Sequence, residues 1–360
     1  MNDLQAALIV VGAAAVAGVW GYNRWQERSQ RRLAEQVFRG KHDDALLDGK
    51  GRGETASSAG TVERTEPVLE DSSPESEPIR SLPPLPEQSA DDLVDCAVRI
   101  ECVEAAPAPS LWAAQSLLAP HISKRLTWHG FDEASGQWRC LSGQDAGRYK
   151  AIGASLQLVD RRGAVTDTEL SVFLDGVRQL AQQFAGVAES PEREAVLAHA
   201  KALDEFCAGV DVQLGVNVVA AEGSLFAGVK LNELALAAGL RLHDDGFYRA
   251  SDAAGLTQFT LGNIGAEAFN AAAIESLATG GVTLSLDVPK VPDGAAAFDR
   301  LLIVAEQLAD ALDGQLVDSQ GHALSGVGIE GIRAKVVELQ GRMALHDVVA
   351  GGRRALRLFS

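Results

Sequence analysis

From Leu4 to Tyr22 the chain reads LQAALIVVGAAAVAGVWGY, apolar throughout except for Gln5, and such a run has to leave water. Its length is close to the roughly 20 residues that a helix needs to cross a bilayer core, which predicts a transmembrane anchor over residues 1–23. Only Asp3 precedes the run, whereas Arg24, Arg28, Arg31, Arg32, Arg39 and Lys41 follow it. A cleaved signal peptide carries its basic residues ahead of the apolar stretch. The positive-inside rule therefore puts the N-terminus outside and everything after Tyr22 in the cytoplasm. Trp20, Tyr22 and Trp25 bracket the exit of the helix as headgroup-level rings do, and Arg24 and Arg28 behind them suit anionic lipid. The lipid bilayer is thus the first expected partner, and Gly12 and Gly18 among alanines leave room for self-association through the anchor.

Residues 24–41 form a basic juxtamembrane segment, after which the composition inverts. Residues 42–95 hold 14 acidic against 4 basic residues, with Pro67, Pro74, Pro78, Pro83, Pro84 and Pro86 among serines and glutamates. Such a stretch repels itself and lacks apolar residues to bury, so residues 42–92 read as a disordered acidic linker. The net charge of -17 over 360 residues argues against a nucleic-acid partner, because phosphate neutralisation needs a basic surface. The four cysteines form no CxxC pair and the seven histidines no ligand spacing, so neither a metal nor a cofactor is expected. Cys96 and Cys102 fall on one side of a strand-like stretch and read as small core residues.

The rest reads as two passes through one α+β pattern, an antiparallel sheet with helices on one face. In residues 211–345, Val212, Leu214, Val216 and Val218 alternate as a strand and Phe226 to Ala238 has helical spacing. Strand-like segments follow at Leu240 to Arg249, Leu256 to Ile264 and Val282 to Val288. Amphipathic helices then run from Ala295 to Leu312, closed by Gly314, and from Ile329 to Met343. Residues 93–190 look like a degenerate copy. Val98, Ile100 and Cys102 match Val212, Leu214 and Val216, and Leu156 to Gly186 parallels Leu284 to Gly314, which suggests duplication. Residues 191–210 make a helical connector, and residues 346–360 a basic tail open to lipid, to a partner or to fraying.

Gly326, Gly328 and Gly331 spell GxGxxG and open a helix, which would fit a membrane-tethered dinucleotide-binding enzyme only if a parallel strand ended at those glycines. No strand pattern precedes them. Asp244 and Asp245 fit a solvated turn before Gly246, and His121, His129, His243, His322 and His346 read as surface residues. The absence of catalytic motifs, joined to an anchor and a spacer, favours a non-catalytic interaction protein whose tether raises the effective concentration of its head at the membrane.

Residues 211–343 resemble the C-terminal domain of the bacterial ZipA family of cell-division proteins. The resemblance rests on Val216-Asn217-Val218-Val219-Ala220-Ala221, Gln258-Phe259-Thr260-Leu261-Gly262-Asn263-Ile264, Gly281-Val282-Thr283-Leu284 with Val288-Pro289, the helix to Gly314 and the final helix, in that order. It implies a ZipA-like split βαβ domain on an inner-membrane, single-pass protein with a periplasmic N-terminus. It also implies a shallow apolar groove on the exposed sheet face for the C-terminal tail of the division GTPase FtsZ. The positions matching that groove are Gln213, Gly215, Asp245, Phe247, Ile264 and Ser285, of which Phe247 and Ile264 are bulky and apolar. A membrane-anchored scaffold with a different peptide partner is the alternative within the same class.

Overall fold

The computed structural model describes Leu85, residues 90–264 and residues 267–360, all within one compact unit spanning Pro78–Ser360. The expected anchor, its collar of Trp20, Tyr22, Arg24, Trp25 and Arg28, and most of the acidic linker lie outside the described residues. Among the described residues no helix is long and apolar enough to cross a membrane.

The first sheet grows from β1 (Asp95–Pro107), whose alternation buries Cys96, Val98, Ile100 and Cys102 on one face. Proline at the first turn starts α1 (Ala108–Leu118). There follow β2 (Leu126–Asp132), β3 (Gln137–Cys140), β4 (Arg148–Gln157) and a small hairpin of β5 (Val159–Asp160) and β6 (Gly163–Ala164). Helix α2 (Asp167–Gln183) opens on a reciprocal cap between Thr166 and Glu169 and returns the chain to β7 (Gly186–Glu189). The sheet order is β3-β2-β4-β1-β7.

Helix α3 (Arg193–Ala208) leads into the second sheet. Its elements are β8 (Gln213–Ala220), β9 (Phe226–Ala227), α4 (Gly228–Ala237), β10 (Arg241–Leu242), β11 (Tyr248–Ser251), β12 (Thr257–Asn263), β13 (Ala278–Thr279), β14 (Gly281–Asp287), α5 (Gly294–Leu312) and β15 (Gly314–Val317). The order is β10-β11-β12-β14-β8-β15, while β9 and β13 pair separately. Every strand pair among the described residues is antiparallel. Helix α5 is capped by Asp293, whose carboxylate accepts the Ala296 N–H at 3.0 Å. It buries Phe298, Leu301, Leu302, Ala305 and Leu308 against Val216, Val218, Leu284 and Leu286 of the sheet. Two further helices, α6 (Gly326–Leu345) and α7 (Arg353–Leu358), complete the chain.

The two sheets share a core arrangement. In each, a helix links a strand to its neighbour but one, giving β4-β1-β7 and β14-β8-β15. Cys102 faces Gly186 as Ala220 faces Gly314, so by register Val98 takes the place of Val216 rather than the sequence-matched Val212. They differ at the edge, where β2 and β3 form a hairpin while β11 and β12 meander.

Four sequence expectations need correction. Gly314 does not end its helix, and Gly186 behaves alike: the left-handed turn falls on Asp313 (φ 52°) and Ala185 (φ 51°), and both glycines begin strands. A Cβ there would press on the Glu101 carbonyl at 2.7 Å or on the Phe226 ring at 2.8 Å, so glycine serves close approach rather than chain reversal. Ala90, Asp91 and Asp92 belong to the fold rather than the linker, with Asp91 only 3% exposed. His129 is 5% exposed on β2, and burial, with Arg125 nearby, pushes its imidazole below the usual range.

The tail, lastly, is neither free nor frayed. Helix α7 buries Ala355 and Leu358, and Phe359 follows them inside. Arg357 forms a two-pronged ion pair with Asp95, one prong at 2.9 Å, and Arg354 donates to Asp91 at 2.7 Å. Gln157 of β4 donates to the Arg357 carbonyl at 3.1 Å. The basic residues therefore answer acids buried at the start of β1. A second tie between the two halves of the chain is Arg161, in the turn of the β5–β6 hairpin, which reaches Asp211 and Asp287 at 2.7 Å each. Removing Arg357 strands the Asp95 carboxylate, whose side chain is 2% exposed. Arg357→Ala should lower unfolding stability by about 3 kcal/mol in urea denaturation followed by circular dichroism, and a change near zero would show the contact to be ornamental.

Candidate functional site

Helices cover only the core face of the second sheet, so the other face shows what its alternating residues carry. From the register, Arg249, Thr260, Ser285 and Gly215 form one cross-strand row. Gly262, Thr283 and Asn217 form the next. Apart from Arg249 these are small or short side chains, and Thr283 Oγ1 donates to Asn217 Oδ1 at 2.7 Å. The result is a low floor.

Two apolar side chains lie on that floor. A Cβ on Gly262 would meet the Phe247 ring at 2.7 Å, and one on Gly281 would meet Ile264 Cδ1 at 2.8 Å. Phe247 therefore rests on Gly262 and Ile264 on Gly281, each across bare backbone. Even so, they remain 44% and 47% exposed. Nothing stands within ordinary contact of Gly215 except Thr283 Cγ2 at 3.7 Å, so the floor continues open toward β8.

A groove of about 420 Å³ runs along this face, lined by Gln213, Phe247, Arg249, Gln258, Thr260, Ser285, Asp287 and Lys290. Its charges are already paired. Asp245 holds Arg249, and Asp287 holds Arg161 at 2.7 Å and Lys290 at 3.5 Å. What remains to offer a ligand is mainly apolar contact and exposed strand edges of short polar side chains.

Five of the six sequence-chosen positions, Gln213, Gly215, Phe247, Ile264 and Ser285, thus share one sheet face. Asp245 does not. It sits in the turn before Gly246, whose φ is +80°, and its carboxylate accepts the Phe247 N–H at 3.3 Å. Its part is to shape the turn that presents Phe247. Sequence reading missed Arg249, Gln258, Thr260 and Lys290. The signal was present for Arg249, two residues beyond Phe247 on the same face of one strand.

Gly326, Gly328 and Gly331 fall inside the first turns of α6, where Ser325 Oγ caps the Gly328 N–H at 3.2 Å. No parallel strand ends at them, which removes the structural basis for a dinucleotide site. Among the described residues no cluster of three or more His, Cys, Asp or Glu could hold a metal ion.

The fold and this open face define the class: an α+β binding module that presents one side of an antiparallel sheet. Residues 213–335 match the family model described as ZipA, C-terminal FtsZ-binding domain. Among curated relatives, the cell division protein ZipA of Pseudomonas aeruginosa (strain LESB58) is 32% identical over 139 residues, 38% of this chain and 48% of the relative. That of Ectopseudomonas mendocina (strain ymp) is 32% identical over 139 residues, 38% of this chain and 51% of the relative. That of Shewanella sediminis (strain HAW-EB3) is 29% identical over 338 residues, covering 88% of this chain and 93% of the relative. The chain spans about half the length of the Pseudomonas and Ectopseudomonas relatives that it matches.

The two phenylalanines of this region separate face from core. Phe259 is 1% exposed, and Phe259→Ala should cost about 3–5 kcal/mol of stability. Phe247→Ala, at a half-solvated position, should cost about 1 kcal/mol. Equal losses in parallel denaturation curves would place Phe247 in the core and close the face.

Proposed function

We propose that the chain is a membrane-anchored, non-catalytic cell-division tether that holds FtsZ polymers at the cytoplasmic membrane through the outer face of its second sheet. The observation that carries this reading is the pair Phe247 and Ile264, left half exposed on a glycine floor within the segment that matches an FtsZ-binding domain family. A short peptide with apolar side chains suits such a floor, since the groove's own charges are neutralised and burial supplies the driving force. The anchor over residues 1–23, the collar of Trp20, Tyr22, Arg24, Trp25 and Arg28, and the acidic linker that follows supply reach. They would keep the head near the bilayer at high local concentration.

We infer further that the first sheet is a diverged copy of the second. The shared order β4-β1-β7 and β14-β8-β15, and the positive-φ residue before Gly186 and before Gly314, support it. FtsZ binding is assigned to the second sheet alone.

Full-length chain in lipid nanodiscs, titrated with a fluorescent peptide of the FtsZ C-terminal tail, should bind saturably at micromolar peptide. Phe247→Ala should weaken that binding at least tenfold, since losing a buried aromatic side chain forfeits about 1.5–3 kcal/mol. No binding at high micromolar peptide would reject the tether, and an unchanged affinity in the variant would reject this face.

A further inference from the structure

The outer face of the first sheet has the same construction as the second but not the same exposure. On β4, Ile152, Ala154 and Leu156 point into the core, which leaves Ala151, Gly153 and Ser155 on the other side. There Ala151 is 5% and Ser155 4% exposed, and His129, the register partner of Gly153, is 5% exposed. Their counterparts Thr283 and Ser285 on the second sheet are partly exposed.

Part of the cover is on view. Leu85 Cδ1 and Cγ lie 2.8 and 3.1 Å from the point where a Cβ on Gly153 would stand. The leucine therefore fills the dimple that glycine leaves in a central strand, flanked in register by Arg99 on β1 and His129 on β2. A cavity of about 540 Å³ continues beside it, lined by Leu85, Ala90, Ala97, Arg99, Glu189 and Arg354 among others. Leu85 stands in the sequence Leu82-Pro83-Pro84-Leu85-Pro86-Glu87. Prolines hold a chain extended before it docks and so reduce the entropy lost on docking.

We propose that the outer face of the first sheet is a binding surface for a short proline-flanked leucine peptide, held in cis by Leu85. A partner segment of the same chemistry gains that face only by displacing Leu85. The inference rests on the first sheet alone and stands whether or not the second sheet binds FtsZ.

The test is fluorescence anisotropy with a labelled peptide, Ser-Leu-Pro-Pro-Leu-Pro-Glu-Gln-Ser, added to the full-length chain in nanodiscs. Leu85→Ser, a change at a half-buried position outside the core, should bind it saturably. The unaltered chain should bind at least tenfold more weakly, because a tethered competitor acts at roughly millimolar effective concentration. Gly153→Val in the Leu85→Ser background should abolish binding, since its side chain occupies the dimple; should that variant fail to fold, the Leu85→Ser comparison decides alone. Equal binding by the unaltered chain and Leu85→Ser, or no binding by Leu85→Ser at 1 mM peptide, on the order of that effective concentration, would overturn the proposal.

Discussion

Two arginines at the seam between the sheets hold the architecture together. Arg357, on the last helix, answers Asp95 at the start of β1, and Arg161, in the turn of the separate β5–β6 hairpin, answers Asp211 and Asp287 at the ends of the connector and of β14. Each arginine crosses from one half of the chain to the other. Asp95 is nearly inaccessible, and a carboxylate is expensive to bury unless a guanidinium meets it with good geometry. The C-terminal helix is therefore part of the fold, and the two sheets act as one unit.

That seam also reaches the binding face. Asp287 lines the groove of the second sheet while it is committed to Arg161, so the β5–β6 hairpin neutralises a charge that would otherwise face an incoming apolar peptide. The face itself is a product of glycine placement. Gly262 and Gly281 let Phe247 and Ile264 lie flat over backbone, half exposed instead of buried. On the first sheet the glycine at position 153 does the same for Leu85, from the chain's own linker end. One device thus presents apolar side chains on one sheet and receives one on the other.

Much of this was legible in the sequence, for a physical reason. Alternation fixes which side of a strand is wet, so Val216, Val218, Leu284 and Leu286 against Gly215 and Ser285 could be sorted before any coordinates. Long amphipathic periods announced α5 and α6. What escaped were features set by tertiary contact. Arg354 and Arg357 read as a basic tail because nothing local reveals that Asp91 and Asp95, at the far end of the folded region, wait for them. Gly314 read as a helix stop because a glycine needed for close approach looks the same as one needed for a left-handed turn. Asp245 was grouped with the groove by position, although its turn directs it back to Arg249 and the Phe247 amide.

The account's central claim is that the two sheet faces differ: the second is open to a partner peptide, while the first is already covered. Hydrogen-exchange mapping of the full-length chain, with and without saturating FtsZ tail peptide, tests it most directly. The account predicts slowed exchange confined to residues 213–219, 245–264 and 281–287, with residues 148–157 unchanged. Protection centred on the first sheet, or none on the second while the peptide is bound, would contradict it.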